Sequence, residues 1–407
     1  MSNSNIKPIL CIAGQNQLAV QGLEFVVRRY PDFPVCFIPT QSDTGVDGWQ
    51  PSLIRKAQAL GVKQVTLQEM EAQENLILFS LQYAEIIKTK RFKSNRLYNL
   101  HFSKLPQYKG MYPAVHPILR GEKTSGVTLH LIDDGIDTGD IIAQSTFNIE
   151  LHDTARDLYF KQTQHAIKLF KKTLENLVEG HFTSYKQPPE GASYYSKNSI
   201  SFADFKMDFN KTAFEIHNQF RAFAFREYQM PVYRDWPILK TQITYQKSTL
   251  KAGTLVEETD TYFLLAGVDF NVKLLKDYYP KLWDACQTGD FAQFQSALPF
   301  IDEINLRNSQ GWNALVIAAY HGHLDIVKAL IQHGAQINST NYKGTTALMY
   351  ALSHYEMHQN DSVFNDSVFK YLISCGADTA MQDAHGKNVR DYIAEKGLQI
   401  LLNNMDA

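Results

Sequence analysis

Cysteine is scarce in this chain: 407 residues hold only Cys11, Cys36, Cys286 and Cys375, far apart, with no C-x-x-C pair and no histidines clustered beside them. That excludes a disulfide framework and a thiolate metal site, and it implies reduced, buried thiols. Charge of one sign is also lacking. A formal net charge of −2 gives no electrostatic reason to expect nucleic acid or another polyanion as partner. No apolar run approaches the length of a membrane span, and residues 1–7 are polar without the apolar core of a secretory signal. The expectation is a cytoplasmic protein with no membrane contact. A G-x-G-x-x-G fingerprint is missing too: the first apolar run ends in Ala13-Gly14-Gln15-Asn16-Gln17, which offers no nicotinamide cofactor its usual seat.

What is present is a chain that changes character twice. Its length suggests two or three domains. Over the first 180 residues, short apolar runs at 8–13, 35–38, 64–67 and 76–80 read as buried parallel strands. Between them, residues 17–29, 52–60 and 83–92 have helical spacing, and 154–179 reads as a long closing helix capped by Asp153. The alternation predicts an α/β domain of Rossmann-like, doubly wound type over residues 1–190. A loop rich in Pro, Gly and Ser at 187–198 leads to an amphipathic helix at 214–221. Strand-like runs come after it at 238–245, 254–256, 262–265 and 271–275, so residues 191–280 read as a small β-rich domain.

From residue 281 to 407 the period is new. Gly311-Trp312-Asn313-Ala314-Leu315 recurs as Gly344-Thr345-Thr346-Ala347-Leu348, 33 residues later. Gly376-Ala377-Asp378 and Gly386-Lys387 repeat the pattern 42 residues on, as though 356–366 carried an insertion. A period of 33 with these residues is the ankyrin signature, so an all-α stack of three to four repeats is expected. Residues 283–298 and 388–404 are its expected caps. The usual T-P-L-H is worn to Asn313-Ala314-Leu315-Val316 and Thr346-Ala347-Leu348-Met349, without the helix-start proline.

Three polar residues stand out in the first domain. Asn99 and His101 lie at the end of the apolar strand 97–102, and Asp137 comes after the apolar strand 126–132 in a stretch broken by Gly135 and Gly139. An amide, an imidazole and a carboxylate form a set able to move a proton and hold a developing oxyanion. The acidic run Asp133, Asp134, Asp137 and Asp140 leaves a metal open on residue types alone.

With Leu105-Pro106 and Tyr108-Lys109-Gly110 between them, residues 99–140 resemble the signature of the folate-dependent formyltransferases, and the likeness runs over roughly the first 235 residues. The resemblance implies catalytic roles for Asn99, His101 and Asp137, with 10-formyltetrahydrofolate as cosubstrate and no metal. On that pattern the amine attacks directly, His101 is the base, Asn99 stabilises the oxyanion, and Asp137 orients His101 or relays the proton. The folate is expected along Phe79, Ser80, Leu81, Gln82 and Tyr83, and along Ile132, Asp133, Asp134, Gly135 and Ile136.

The loop after His101 bears on the acceptor. Methionyl-tRNA formyltransferases read close to S-L-L-P-x-[WY]-R-G-A-A-P there; this chain has Met111 and Tyr112 where those have small residues. That form, together with residues 220–231, is similar to enzymes acting on dTDP-linked amino-dideoxy sugars. The expected substrate contacts are Tyr108, Lys109, Gly110, Met111 and Tyr112. An aromatic face for thymine and cations for the pyrophosphate are expected from Tyr194, Tyr195, Lys197, Arg221 and Arg226. Resemblance to ankyrin-tailed sugar enzymes implies a dTDP-3-amino-3,6-dideoxyhexose of glucose or galactose configuration, a late step toward a lipopolysaccharide O-antigen. The alternatives are a dTDP-4-amino-4,6-dideoxyglucose, methionyl-tRNA, or an inert scaffold. Resemblance also implies a homodimer through residues 200–280. An ankyrin stack by default binds protein; resemblance to the ankyrin-tailed sugar enzymes suggests instead a second sugar-nucleotide site, with Trp312, Tyr320, His321 and Tyr350 as candidates.

Overall fold

The computed structural model describes residues 7–358, 367–399 and 401. The chain divides into two compact units, residues 1–225 with 229–275, and residues 226–228 with 276–407.

The first unit is built on a seven-stranded sheet. Its strands are β1 (Ile9–Gly14), β2 (Val35–Pro39), β3 (Lys63–Gln64), β4 (Leu76–Leu81) and β5 (Leu97–His101). Past β6 (Lys109–Gly110), which stays outside the sheet, come β7 (Thr124–Leu131) and β8 (Ile141–Asn148), giving the order β3-β2-β1-β4-β5-β7-β8. All pairs from β3 to β5 are parallel, whereas β7 runs antiparallel to β5 and β8 antiparallel to β7. The sheet is therefore mixed. Its central strand β4 is buried at every position, as a strand covered on both faces must be. One covering layer holds the helices Asn16–Arg29 and Ala155–Glu179. There Phe170 meets Phe79 edge-on at 5.2 Å, and Phe79 stacks on Tyr98 at 5.6 Å. Each such ring contributes about 1.5–3 kcal/mol by leaving water.

Three local expectations need correction. The buried strand expected at 64–67 is only the exposed pair Lys63–Gln64, because Thr66 forms a capping box with Glu69 and starts the helix Leu67–Glu71. The cap of the long helix is Thr154, one half of a capping box with Asp157, while Asp153 is buried and accepts from Lys161 Nζ at 2.6 Å. Residues 83–92 are not an α-helix: only the short 3₁₀ turn Thr89–Arg91 forms. Gln82 leaves β4 with φ 60°, and Thr89 is drawn away to Asp134.

The same unit carries β9 (Tyr194–Tyr195), paired in parallel with β6, and a five-stranded sheet. That sheet contains β10 (Val232–Tyr233), β11 (Trp236–Lys247), β12 (Leu255–Glu258), β13 (Tyr262–Ala266) and β14 (Phe270–Lys276), in the order β10-β11-β14-β13-β12. The helix Ala213–Phe223 lays Ile216 and Phe220 on Phe263, Leu265, Val272 and Leu274.

In the second unit, helix pairs stack as Tyr279–Thr288 with Phe291–Ala297, Ala314–Tyr320 with Leu324–Gln332, and Ala347–His358 with Ser367–Ser374; Val389–Glu395 comes last. The turn before each later repeat is the same. Asn308, Asn341 and Asp383 each accept two backbone N–H groups through Oδ1, and Gly311, Gly344 and Gly386 sit at φ 85°, 74° and 72°. The missing helix-start proline is replaced by side-chain caps, with Asn313 accepting from Val316 N, Thr346 from Met349 N and Asn388 from Asp391 N. The inferred insertion lies partly, at 359–366, outside the described residues, as do position 400 and residues 402–404 of the expected cap. Among the described residues no helix is long and apolar enough to cross a membrane.

Candidate active site

Asn99 is the middle residue of β5, and the antiparallel register sets it directly opposite His130 on β7. Directly opposed residues share a face, so the amide and that second imidazole meet, with Asn99 Nδ2 and His130 Nε2 at 3.1 Å. Asp137 reaches the pair from the β7–β8 turn. Its Oδ1 accepts from Asn99 Nδ2 at 3.1 Å, and its Oδ2 accepts from Gly110 N at 2.9 Å and faces His101 Nδ1 at 3.4 Å. The three expected residues thus converge on one carboxylate, with His130 as an unforeseen fourth.

The network assigns the protons. An ionised carboxylate only accepts, so the Asn99 atom facing Asp137 is Nδ2, not Oδ1. His130 Nδ1 lies 2.7 Å from Leu131 O and must carry a hydrogen there, which leaves Nε2 able to accept from Asn99. Both Asn99 amide hydrogens are therefore engaged, and its Oδ1 is the group left for a ligand. His101 Nε2 donates to Tyr108 O at 2.8 Å, so its Nδ1, turned to Asp137, is its basic position.

Asp137 is held hard. Its side chain is only 11% exposed, and burial alone would raise its carboxyl. The charge that the His101 and His130 rings carry when protonated, with the Gly110 N–H, outweighs burial and keeps it well below the ordinary carboxylate range. Its backbone is left-handed at φ 54°, and Gln187 Nε2 donates to both Asp137 O and Gly139 O at 2.8 Å. Of the other acids, Asp133 closes its own turn onto Gly135 N and Thr138 Oγ1, and Asp134 takes Thr89 Oγ1 and Lys90. Among the described residues no group of three or more His, Cys, Asp or Glu is placed to hold a metal ion.

The acceptor-loop residues form a ribbon. Lys109 and Gly110 pair with Tyr194 and Tyr195, Tyr108 N donates to Ser193 Oγ, and Tyr112 Oη donates to Lys197 O. Tyr195 lies between Tyr108 and His116, its ring 3.7 Å from the imidazole. Met111 and Tyr194 are exposed, at 43% and 53%, and Lys197 is exposed as well.

Several expected contacts are engaged elsewhere. Tyr108 is buried with its hydroxyl on Glu122. Arg221 is buried, with its Nε on Asn218 Oδ1 and its Nη1 on Glu150 O and Asp153 O. Arg226 belongs to the second unit, paired with Asp277 at 2.8 Å beside Tyr279 and Trp283. Phe79, Ser80 and Leu81 are buried, and the ladder engages their backbone on both sides. Gln82 and Tyr83 lie beyond the strand end and are half-buried, Gln82 Nε2 donating to Tyr159 Oη at 3.1 Å; Ile132 is half-buried and Gly135 and Ile136 are exposed. In the second unit, Trp312 does gather Tyr320 at 5.3 Å and Tyr350 at 4.7 Å, with His321 edge-on to Tyr320 at 5.0 Å.

Comparison with known proteins respects this division. The formyl transferase family model matches residues 57–174, and the ankyrin repeat model, in three copies, residues 282–383. Methionyl-tRNA formyltransferase of Clostridioides difficile is 32% identical over 184 residues, 44% of this chain and 58% of that enzyme, so the chain spans little more than half of that relative. Among solved structures, the N-formyltransferase of Helicobacter canadensis, in complex with folinic acid and dTDP-3-aminofucose, is 43% identical with a TM-score of 0.63, over 67% of this chain and 100% of that one. WlaRD, a sugar 3N-formyltransferase solved in the presence of dTDP and 5-N-formyl-THF, is 42% identical with a TM-score of 0.62, over 66% and 98%.

Proposed function

We propose, because the chain belongs to the sugar N-formyltransferase family, that it transfers the formyl group of 10-formyltetrahydrofolate to the amine of a dTDP-linked 3-amino-3,6-dideoxyhexose, with an O-antigen sugar as the product's destination. The observation that carries the chemistry is the single carboxylate of Asp137 shared by Asn99, His101 and the Gly110 N–H. Support for the 3-amino position comes from the two solved relatives above, one of which is a 3N-formyltransferase and the other of which holds dTDP-3-aminofucose.

In this mechanism Asn99 Oδ1 accepts an N–H of the incoming amine and aims its lone pair at the formyl carbon. His101 takes the amine's proton at Nδ1. The doubly protonated ring then finds an acceptor already in place for each N–H, Tyr108 O on one side and Asp137 Oδ2 on the other, so no group need move to receive the charge. To serve the developing oxyanion, one Asn99 Nδ2–H must leave His130 Nε2, the uncharged one of its two acceptors. Removing that donor raises the barrier by about 3 kcal/mol. As the tetrahedral intermediate collapses, the bond from the formyl carbon to the folate N10 breaks and the proton held at His101 Nδ1 passes to N10, so tetrahydrofolate leaves and the imidazole is restored. Gln82 and Tyr83 on one side, and the 132–136 turn on the other, flank the folate. Met111, Tyr112, Tyr194 and Lys197 on the exposed side of the ribbon meet the nucleotide.

The ring cluster of Trp312, Tyr320 and Tyr350, with His321, is a second sugar-nucleotide site in this reading, and its occupancy tunes turnover. The test of the main activity is formyl transfer to paired dTDP-3-amino and dTDP-4-amino dideoxyhexoses. Preference for the 3-amino sugar is expected. Turnover of the 4-amino sugar alone overturns the regiochemistry, and no turnover of either overturns the acceptor class.

A further inference from the structure

We propose that Gln187, a residue of the linker between the seven-stranded sheet and the β-rich domain, is a positioning residue that fixes Asp137 through its main chain. This rests on the reading of Asp137 as a catalytic group.

The geometry is specific. One side-chain nitrogen, Gln187 Nε2, donates to Asp137 O and to Gly139 O, both at 2.8 Å. The amide orientation is forced, since turning it over would set Oε1 against two carbonyl oxygens. Between those carbonyls the chain is tightly drawn. Asp137 adopts φ 54°, a conformation that a side-chain-bearing residue keeps only when its surroundings over-determine it. Gly139 runs so close to β7 that a Cβ there would overlap Leu131 O. The tie therefore sets where the Cα–Cβ bond of Asp137 points, and so where its carboxylate lies between Asn99 and His101.

The same linker supports the carboxylate a second time. Tyr195 pairs with Gly110, and the Gly110 N–H donates to Asp137 Oδ2. One arm of the linker holds the backbone of Asp137 and the other holds the group that grips its side chain. The ribbon's role is shared by several hydrogen bonds, whereas the backbone tie depends on one side chain.

Four substitutions in the full chain test this: Gln187→Ala, Gln187→Met and Gln187→Glu, and Lys186→Ala as the neighbouring control. Displacement of a reacting group by about an ångström costs on the order of a hundredfold in rate. The expected result is a fall in kcat by about ten- to a hundredfold for Ala and Met, with KM for both substrates within about twofold. Gln187→Glu should be worse than Ala, because an acceptor of the same shape faces two carbonyl oxygens. Lys186→Ala should match the unmodified chain. If Met or Glu retains full kcat, the side chain only fills space and the inference fails. It fails equally if KM rises with kcat unchanged, or if Lys186→Ala loses as much. An unmodified chain that transfers no formyl group would instead overturn the reading of the site itself.

Discussion

Asn99 has one amide nitrogen, and two acceptors hold it: the Asp137 carboxylate and His130 Nε2. Fixing that nitrogen fixes which face of the amide is turned outward, so in the proposed mechanism His130 acts on the reaction through Asn99. The expected outcome is that His130→Phe lowers kcat by tenfold or more. The double variant with Asn99→Ala should lose less than the product of the two single losses, because both changes break one unit. Steady-state kinetics of the four proteins give the coupling, and strict multiplicativity would show that His130 works elsewhere. Sequence alone does not single out His130, because it sits within the apolar run 126–132 and looks like an ordinary strand residue. The usable signal is strand alternation, which sets Thr128 and His130 on one side; it cannot supply the register that brings β7 opposite Asn99. That Asn99, His101 and Asp137 meet is legible because their order and spacing resemble a family's signature. Arg221 and Arg226 mislead because two arginines beside aromatics look the same whether they await a phosphate or cap carbonyls and pair with a buried acid.

At the scale of elements, the β6–β9 ribbon carries the site. Gly110 has φ 84°, and a Cβ there would lie 2.3 Å from Tyr195 O. Gly110→Ala should therefore lower stability by at least about 1 kcal/mol and take catalysis with it, since the N–H that serves Asp137 moves. A thermal melt beside a kcat measurement checks both, and an active, equally stable variant would contradict this account of the ribbon. His116, stacked on Tyr195, adds a pH dependence. Burial, helped by Arg120, lowers it from 6.5 to about 4. Between those values the unfolded chain binds a proton that the folded one refuses, so stability is full above about pH 6.5 and falls toward pH 4. The slope is at most about 1.4 kcal/mol per pH unit. Urea midpoints across this range should slope less in His116→Phe; equal slopes would assign the proton to another group. Periodicity makes most strands and helices readable. It fails over 83–92, where Tyr83, Ile86, Ile87 and Lys90 mimic a helical stripe while φ 60° at Gln82 and the pull of Asp134 on Thr89 prevent one.

For the whole molecule, the repeat pattern foretells the ankyrin stack, and the aromatic residues named from it do assemble around Trp312. Calorimetric titration with dTDP should give two equivalents per chain, falling to one in Trp312→Ala with formyl transfer to a saturating sugar retained. One equivalent in both proteins would reduce the cluster to packing between repeats. The support of Asp137 has a further consequence. On one side stand Asn99 and His130, locked across a central ladder; on the other stand Gln187 and Tyr195, borne on a linker with many exposed residues around them. Those two supports should therefore exchange their amides at different rates. Deuterium should enter residues 187–198 long before residues 97–101 and 127–131, and each brief opening of that linker leaves the protein folded but idle. Heat would then silence this enzyme some degrees before it melts.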